Sequence, residues 1–131
     1  VSNKVVVDRR RMYFYRSNPS SVMLQNFNRK HFDAIKNVEG IGRTVEGRIP
    51  GLKQAIDIMV FSDAVYYGSK ALPVKEKWPD EYREITGYIK KYRNEVLTNK
   101  SAKKNTRIKA LIMCIFGVNT GLMITGRLIK W

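Results

Sequence analysis

Apolar residues along this chain recur mostly at helical spacing, and the breaks between them are marked by glycine, proline and short polar runs. Asn18-Pro19 is a helix start: Asn18 can accept from first-turn amides, and proline suits the first helical position. Phe27, Ala34, Ile35 and Val38, with His31 on the same stripe, predict a first helix over about 19–39. Gly40, Gly42 and Gly47 weaken its continuation, and Gly47-Arg48-Ile49-Pro50-Gly51 is a clear break. Leu52, Ala55, Ile56, Met59 and Val60 share one face of a second helix over roughly 51–67, which Gly68 is placed to end. These two helices would form an antiparallel hairpin.

A connector containing Pro73 leads to a third helix near Pro79-Asp80-Glu81, where the acids suit the positive end of the helix dipole. Trp78, Tyr82, Ile85, Ile89, Tyr92 and Val96 then step by four and three in alternation, a heptad-like seam for packing on other helices. A polar turn over 98–106 precedes a last helix over about 106–130. The only strand-like patch is Val5–Val7. The pattern predicts an all-α fold: a four-helix bundle over 18–131, preceded by an extended basic N-terminal arm over 1–17, together a single domain of 131 residues.

Charge sharpens this picture. The chain holds 25 Lys and Arg against 11 Asp and Glu, a formal net charge of +14. Residues 1–31 carry seven basic residues and one acid, residues 32–98 eleven and ten, and residues 99–131 seven and none. The middle mixes its signs as a soluble surface does, whereas the two ends are segregated and attractive to polyanions.

In the arm, Lys4, Arg9, Arg10, Arg11 and Arg16 alternate with Tyr13, Phe14 and Tyr15. Arginine offers planar, permanently charged donors to phosphate oxygens, and Tyr13 and Tyr15 could stack on bases or sugars. Arg29, Lys30, Lys36, Arg43 and Arg48 on or just after the first helix extend the candidate nucleic-acid surface, as do Lys103, Lys104 and Arg107 before and within the last. The competing reading of each helix cation is an ordinary solvated face, and of the arm a solvated tail or a membrane-surface anchor.

Ala110–Gly126 is seventeen residues without a charge, slightly short for a membrane span and interrupted by Asn119 and Thr120. Gly117 and Gly121 form a small-xxx-small pair that would let another helix approach closely. Gly117, Gly121 and Trp131 are thus candidate subunit or lipid contacts, with a buried bundle or interface helix preferred over lipid.

Catalysis finds no support. His31 is the only histidine and lies on an apolar face, which suits a packed or capping role. One His and one Cys cannot build a zinc site, and no phosphate-binding or dinucleotide glycine motif occurs. The carboxylates are scattered as helix-surface partners for Lys and Arg. No catalytic residue, metal site or cofactor is expected. Cys114 has no disulfide partner in the chain and reads as a buried, inert thiol in a reducing compartment. Val1–Arg11 lacks the basic-then-apolar order of a secretory leader.

The step Tyr15-Arg16-Ser17-Asn18-Pro19, with Val22 and Leu24 following, resembles the major coat proteins of filamentous and rod-shaped archaeal viruses, the lipothrixviruses and rudiviruses. Weaker echoes are the Gln54–Gly68 helix and Ile124-Thr125-Gly126, and length, helix count and arm position extend the resemblance over nearly the whole chain. The resemblance implies a coat protein that dimerises with itself or a paralogous coat protein and wraps double-stranded DNA, held in A-form. Dimers would stack into the helical filament of a virion, assembled in the host cytoplasm, and envelope lipid would be a second candidate neighbour of the last helix. Three other readings stay open. A helix-turn-helix regulator is weakened by Asp57 and Asp63 on the second helix, which would repel phosphate. A membrane-associated, matrix-like protein would use the basic ends on anionic lipid. A single-stranded RNA nucleoprotein would use the same arginines, because phosphate recognition does not separate DNA from RNA.

Overall fold

The structure, a computed structural model, describes residues 26–45, 48, 49 and 51–128. Among these residues the regular elements are all helical: α1 (Arg29–Val45), α2 (Leu52–Ala71), α3 (Pro79–Thr98), α4 (Lys104–Ile115) and α5 (Val118–Leu128), with a 3₁₀ turn at Leu72–Val74. The all-α class holds; five described helices replace the four expected.

The Asn18-Pro19 start lies outside the described residues. Within them, residues 26–28 are not helical, so a single helix over 19–39 is corrected to one that begins at Arg29. The reason is a local cap. The Asn28 side-chain oxygen accepts the Lys30 amide at 3.0 Å, and His31 Nδ1 accepts the Asn28 amide at 3.2 Å. This is the reciprocal arrangement of a capping box with histidine as the returning acceptor. His31 is also buried and stacks on the Tyr67 ring at 4.9 Å, so packing and capping are both realised. α1 continues through Gly40 and Gly42; at Gly42 a Cβ would stand 2.8 Å from Ile56 Cγ2, so the missing side chain lets α1 approach α2.

α2 is the central helix and packs on α1, α3 and α5. Its buried side is therefore wider than one stripe: Ile56, Val60, Phe61, Ala64, Val65 and Ala71 are buried, while Ala55 and Met59, expected on the inner face, are exposed. Gly68 does not end it. The helix runs on to Ala71, and Gly68 sits where a Cβ would meet Ile85 Cγ2 at 3.1 Å and Leu122 Cδ2 at 3.2 Å. On α3 the predicted seam is inside: Tyr82, Ile85, Ile89, Tyr92 and Val96 are buried, and Trp78 meets the Phe27 ring edge-on at 6.1 Å. Burying Ile85 and Ile89 fully stabilises the bundle by about 1.5–3 kcal/mol each.

The last predicted helix is two helices. Phe116 donates its amide to Ile112 O at 3.0 Å, closing α4; Gly117 then adopts φ 77°, a left-handed conformation that glycine takes without a Cβ penalty. A straight helix over 106–130 would run for about 37 Å, past the roughly 30 Å of α3 that α4 packs on. The break lets α5 turn onto α2, where Leu122 is buried. It also frees the Met113 carbonyl, which accepts from the Arg93 guanidinium of α3 at 3.0 Å.

Candidate nucleic-acid interface

Contacts between helices fix which cations share a place. Lys36 Nζ lies 3.5 Å from Glu84, and Glu39 takes Tyr88 and Lys91, so α1 and α3 run parallel with α2 against both. Arg29 and Lys30, at the start of α1, therefore lie at the end where α3 begins, beside Trp78. Arg43 and Arg48 lie at the opposite end with the start of α4. A groove of about 560 Å³ spans that neighbourhood: Gly51, Gln54 and Met59 border it on one side, Ser101, Lys103 and Thr106 on the other. Lys103 lines this groove and is followed in the chain by Lys104 and Arg107; Gly51 on the other side lies three residues after Arg48, and Asp63 also lines the groove.

The surroundings of these cations differ. Arg48, Lys103 and Lys104 are exposed and have no carboxylate within 4.0 Å among the described residues, and the same is true of Arg29 and Lys30. Arg107 is exposed but anchored, its Nε donating to Leu97 O at 3.0 Å near the C-terminus of α3. Two predicted residues already have partners within the chain. Lys36 spans Glu84 and the Phe32 ring, and Arg43 meets Glu39 Oε2 at 3.0 Å. Lys4, Arg9, Arg10, Arg11, Tyr13, Tyr15, Arg16 and Trp131 lie outside the described residues.

The first turns of α1 and α4 carry no acid. They hold Arg29 and Lys30 in one case, and Lys104 preceded by Lys103 in the other, at the positive end of the helix dipole. A cation there costs about 0.3–1 kcal/mol, the reverse of the Asp80 and Glu81 placement in α3. Helix stability does not account for these residues. At α1 the Lys30 and His31 amides are already taken by Asn28, so an anion held by the cations and the first-turn amides would offset the cost at α4.

Gly117 forms the α4–α5 break, and Gly121 is buried against Met113 of α4, so the close approach it makes is within the chain. The uncharged run is only partly buried: with Ile108 just before it, Leu111, Ile115 and Phe116 form an exposed stripe along α4 that continues into the break, with Ile115 64% exposed. No described helix is long and apolar enough to cross a membrane. Cys114 is half-buried, not fully buried as expected, with its thiol 3.3 Å from Asn94 Oδ1.

Sequence reasoning missed the buried carboxylates. Glu39 is 8% exposed and accepts from Tyr88 at 2.9 Å, Arg43 at 3.0 Å and Lys91 at 3.4 Å, tying α1 to α3. Burial alone would raise its pKa; the three donors outweigh that and hold it below the ordinary value. Burial, together with the same carboxylate, pushes the Tyr88 hydroxyl well up. Asp57 is 5% exposed and meets Lys53 Nζ at 2.6 Å. Glu39 between Val38 and Gly40, and Asp57 between two isoleucines, each with a cation four residues away, read equally well as exposed helix-surface partners. No family model matches the chain, and no curated protein or solved structure matches it either.

Proposed function

We propose that this chain is a structural coat protein that packages double-stranded DNA through phosphate contacts, without reading base sequence. The observation that carries the reading is the cationic opening of α4, where Lys103 lines the groove at this end of the bundle, Lys104 and Arg107 follow, and no acid stands in the first turn. Such contacts position a nucleic acid without specifying it, and a coat must cover any sequence. The bundle supplies one phosphate-binding end, and the arm over 1–17 adds arginines interleaved with aromatics. In this reading subunits dimerise and stack along the DNA, and the many charge contacts per subunit offset the cost of holding DNA in a deformed, A-like shape.

The experiment is negative-stain electron microscopy of the purified protein with linear double-stranded DNA, beside a DNA-free control. Regular filaments only with DNA are expected. Compact particles, or naked DNA beside free protein, contradict the coat reading. A second reading, peripheral attachment to an anionic membrane, is favoured by one feature, the exposed Ile108, Leu111, Ile115 stripe beside Lys104 and Arg107. Flotation with anionic liposomes that survives high salt would favour it.

A further inference from the structure

A cleft of about 630 Å³ opens between α3 and the joint of α4 with α5. It is open to solvent and far larger than an inorganic anion needs. One wall is a single face of α3, where Arg83, Thr86 and Lys90 follow one another at helical spacing; Lys75, from the turn after the 3₁₀ segment, closes one end. The opposite wall is the joint itself, where Phe116 is 56% exposed and Gly117 leaves no side chain at the mouth.

Three properties of this cleft belong together. First, its charge is positive. Lys75, Arg83 and Lys90 face one lining carboxylate, Glu76, and the Asp80 carboxylate 3.4 Å from Arg83 is a highly exposed partner of little strength. Lys75 and Lys90 are exposed, with no carboxylate within 4.0 Å among the described residues. Second, a neutral donor is held in place: the Tyr82 hydroxyl donates to Asn119 Oδ1 at 2.8 Å, which fixes the amide and leaves its NH₂ available. Third, the exposed aromatic is unexplained by packing. Phe116 follows directly on α4, and the Gly117 turn leaves its ring at the cleft instead of in the core.

We propose that this cleft binds a nucleotide, with the positive charge of Lys75, Arg83 and Lys90 drawing in the phosphate and Phe116 stacking on the base. Cations beside an exposed ring are the pairing that nucleotides require, and a bare anion would leave the ring without a role. The base must be unpaired, because a base inside a duplex is already stacked on its neighbours. The ligand is therefore a free nucleotide or the unpaired part of a strand. The cleft is formed by other residues than the basic end of the bundle and stands independently of the coat reading.

Two-dimensional amide NMR on the full chain tests this with three probes: adenosine monophosphate, inorganic phosphate and a short single-stranded oligonucleotide. Saturable shifts at Phe116, Gly117, Asn119 and Thr120 are expected with the nucleotide, the oligonucleotide or both; nucleotide response identifies the free ligand as sufficient, and response to the oligonucleotide alone identifies the strand. The Lys75→Gln/Lys90→Gln pair should weaken binding of every responding probe. Phe116→Ala should weaken the base-bearing probes by about tenfold or more, the effect of losing a stacked base, and leave phosphate unchanged. All three side chains are exposed, so the variants should keep the wild-type circular dichroism. No shift at these amides overturns the proposal. So does a response to phosphate equal to that of the nucleotide and indifferent to Phe116→Ala. Filament formation on duplex DNA is read separately and does not depend on either result.

Discussion

Replacing Glu39 by Gln keeps the side-chain volume and removes the charge that three donors share. A hydrogen bond to a charged group contributes about 1.5–3 kcal/mol when well shielded. Arg43 and Lys91 are not shielded: their side chains are 74% and 59% exposed, so solvent screens both pairs and their share is small. The Tyr88 hydroxyl is buried and supplies most of the remainder, although Glu84 Oε1 at 3.2 Å offers it a second acceptor. The expected loss is about 1–3 kcal/mol at neutral pH, a sizeable part of a domain's typical 5–15 kcal/mol. The pH dependence has a definite sign. Burial raises the Glu39 pKa, and the bonds from Tyr88, Arg43 and Lys91 more than reverse this, so the folded value lies below 4.5. A carboxylate with a lowered folded pKa contributes stability that is full above its unfolded value and is lost as pH falls through the folded one. Urea unfolding of wild type and Glu39→Gln, followed by circular dichroism, should therefore show a gap at neutral pH that closes as the pH drops below 4.5. A neutral-pH difference within about 0.5 kcal/mol, the range of an ordinary surface change, would refute the reasoning. So would a gap that widens in acid.

Further expectations concern the helices and the arm. Gly121→Ala should destabilise by about 1–3 kcal/mol, because its Cβ would collide with the Met113 side chain, whereas Gly40→Ala, with nothing within 4 Å, should stabilise by about 0.5–1 kcal/mol in thermal unfolding. Gly117→Ala meets open space but keeps φ 77°, so it should cost about 1–2 kcal/mol from backbone strain alone. A chain beginning at Asn18 should retain the thermal stability of the full protein and lose DNA packaging; a collapse in stability would mean that the arm serves the fold.

How much of this was legible in the sequence depended on how many neighbours each helix has. α3 was read almost to the residue, because Tyr82, Ile85, Ile89, Tyr92 and Val96 form one seam and the opposite face is solvated. α2 was not: pressed by α1, α3 and α5, it buries Phe61, Ala64 and Val65 outside the expected stripe, and the periodicity blurs. The α4–α5 break escaped because no charge or proline marks it, and Gly117 reads equally well as a helix-contact residue. Among the candidate cations, residue type told which could meet phosphate, but not which already had a partner. Arg43 and Lys36 are paired by Glu39 and Glu84, which come from α1's own neighbouring turn and from a helix about fifty positions away. The placing of Lys103 across a groove from Gly51 and Gln54 depends on the same tertiary pairing and was invisible locally.

The central claim, phosphate contacts at the basic end without sequence reading, is tested most directly by the salt dependence of duplex DNA binding. Affinity would be measured over a range of salt for wild type and for the Arg48→Gln/Lys103→Gln/Lys104→Gln variant, each on two DNAs of unrelated sequence. Equal affinity for both DNAs is expected, with a log–log salt slope that falls by about 0.9 for each phosphate the variant no longer neutralises. An unchanged slope in the variant, or binding that follows one DNA sequence, would contradict the claim.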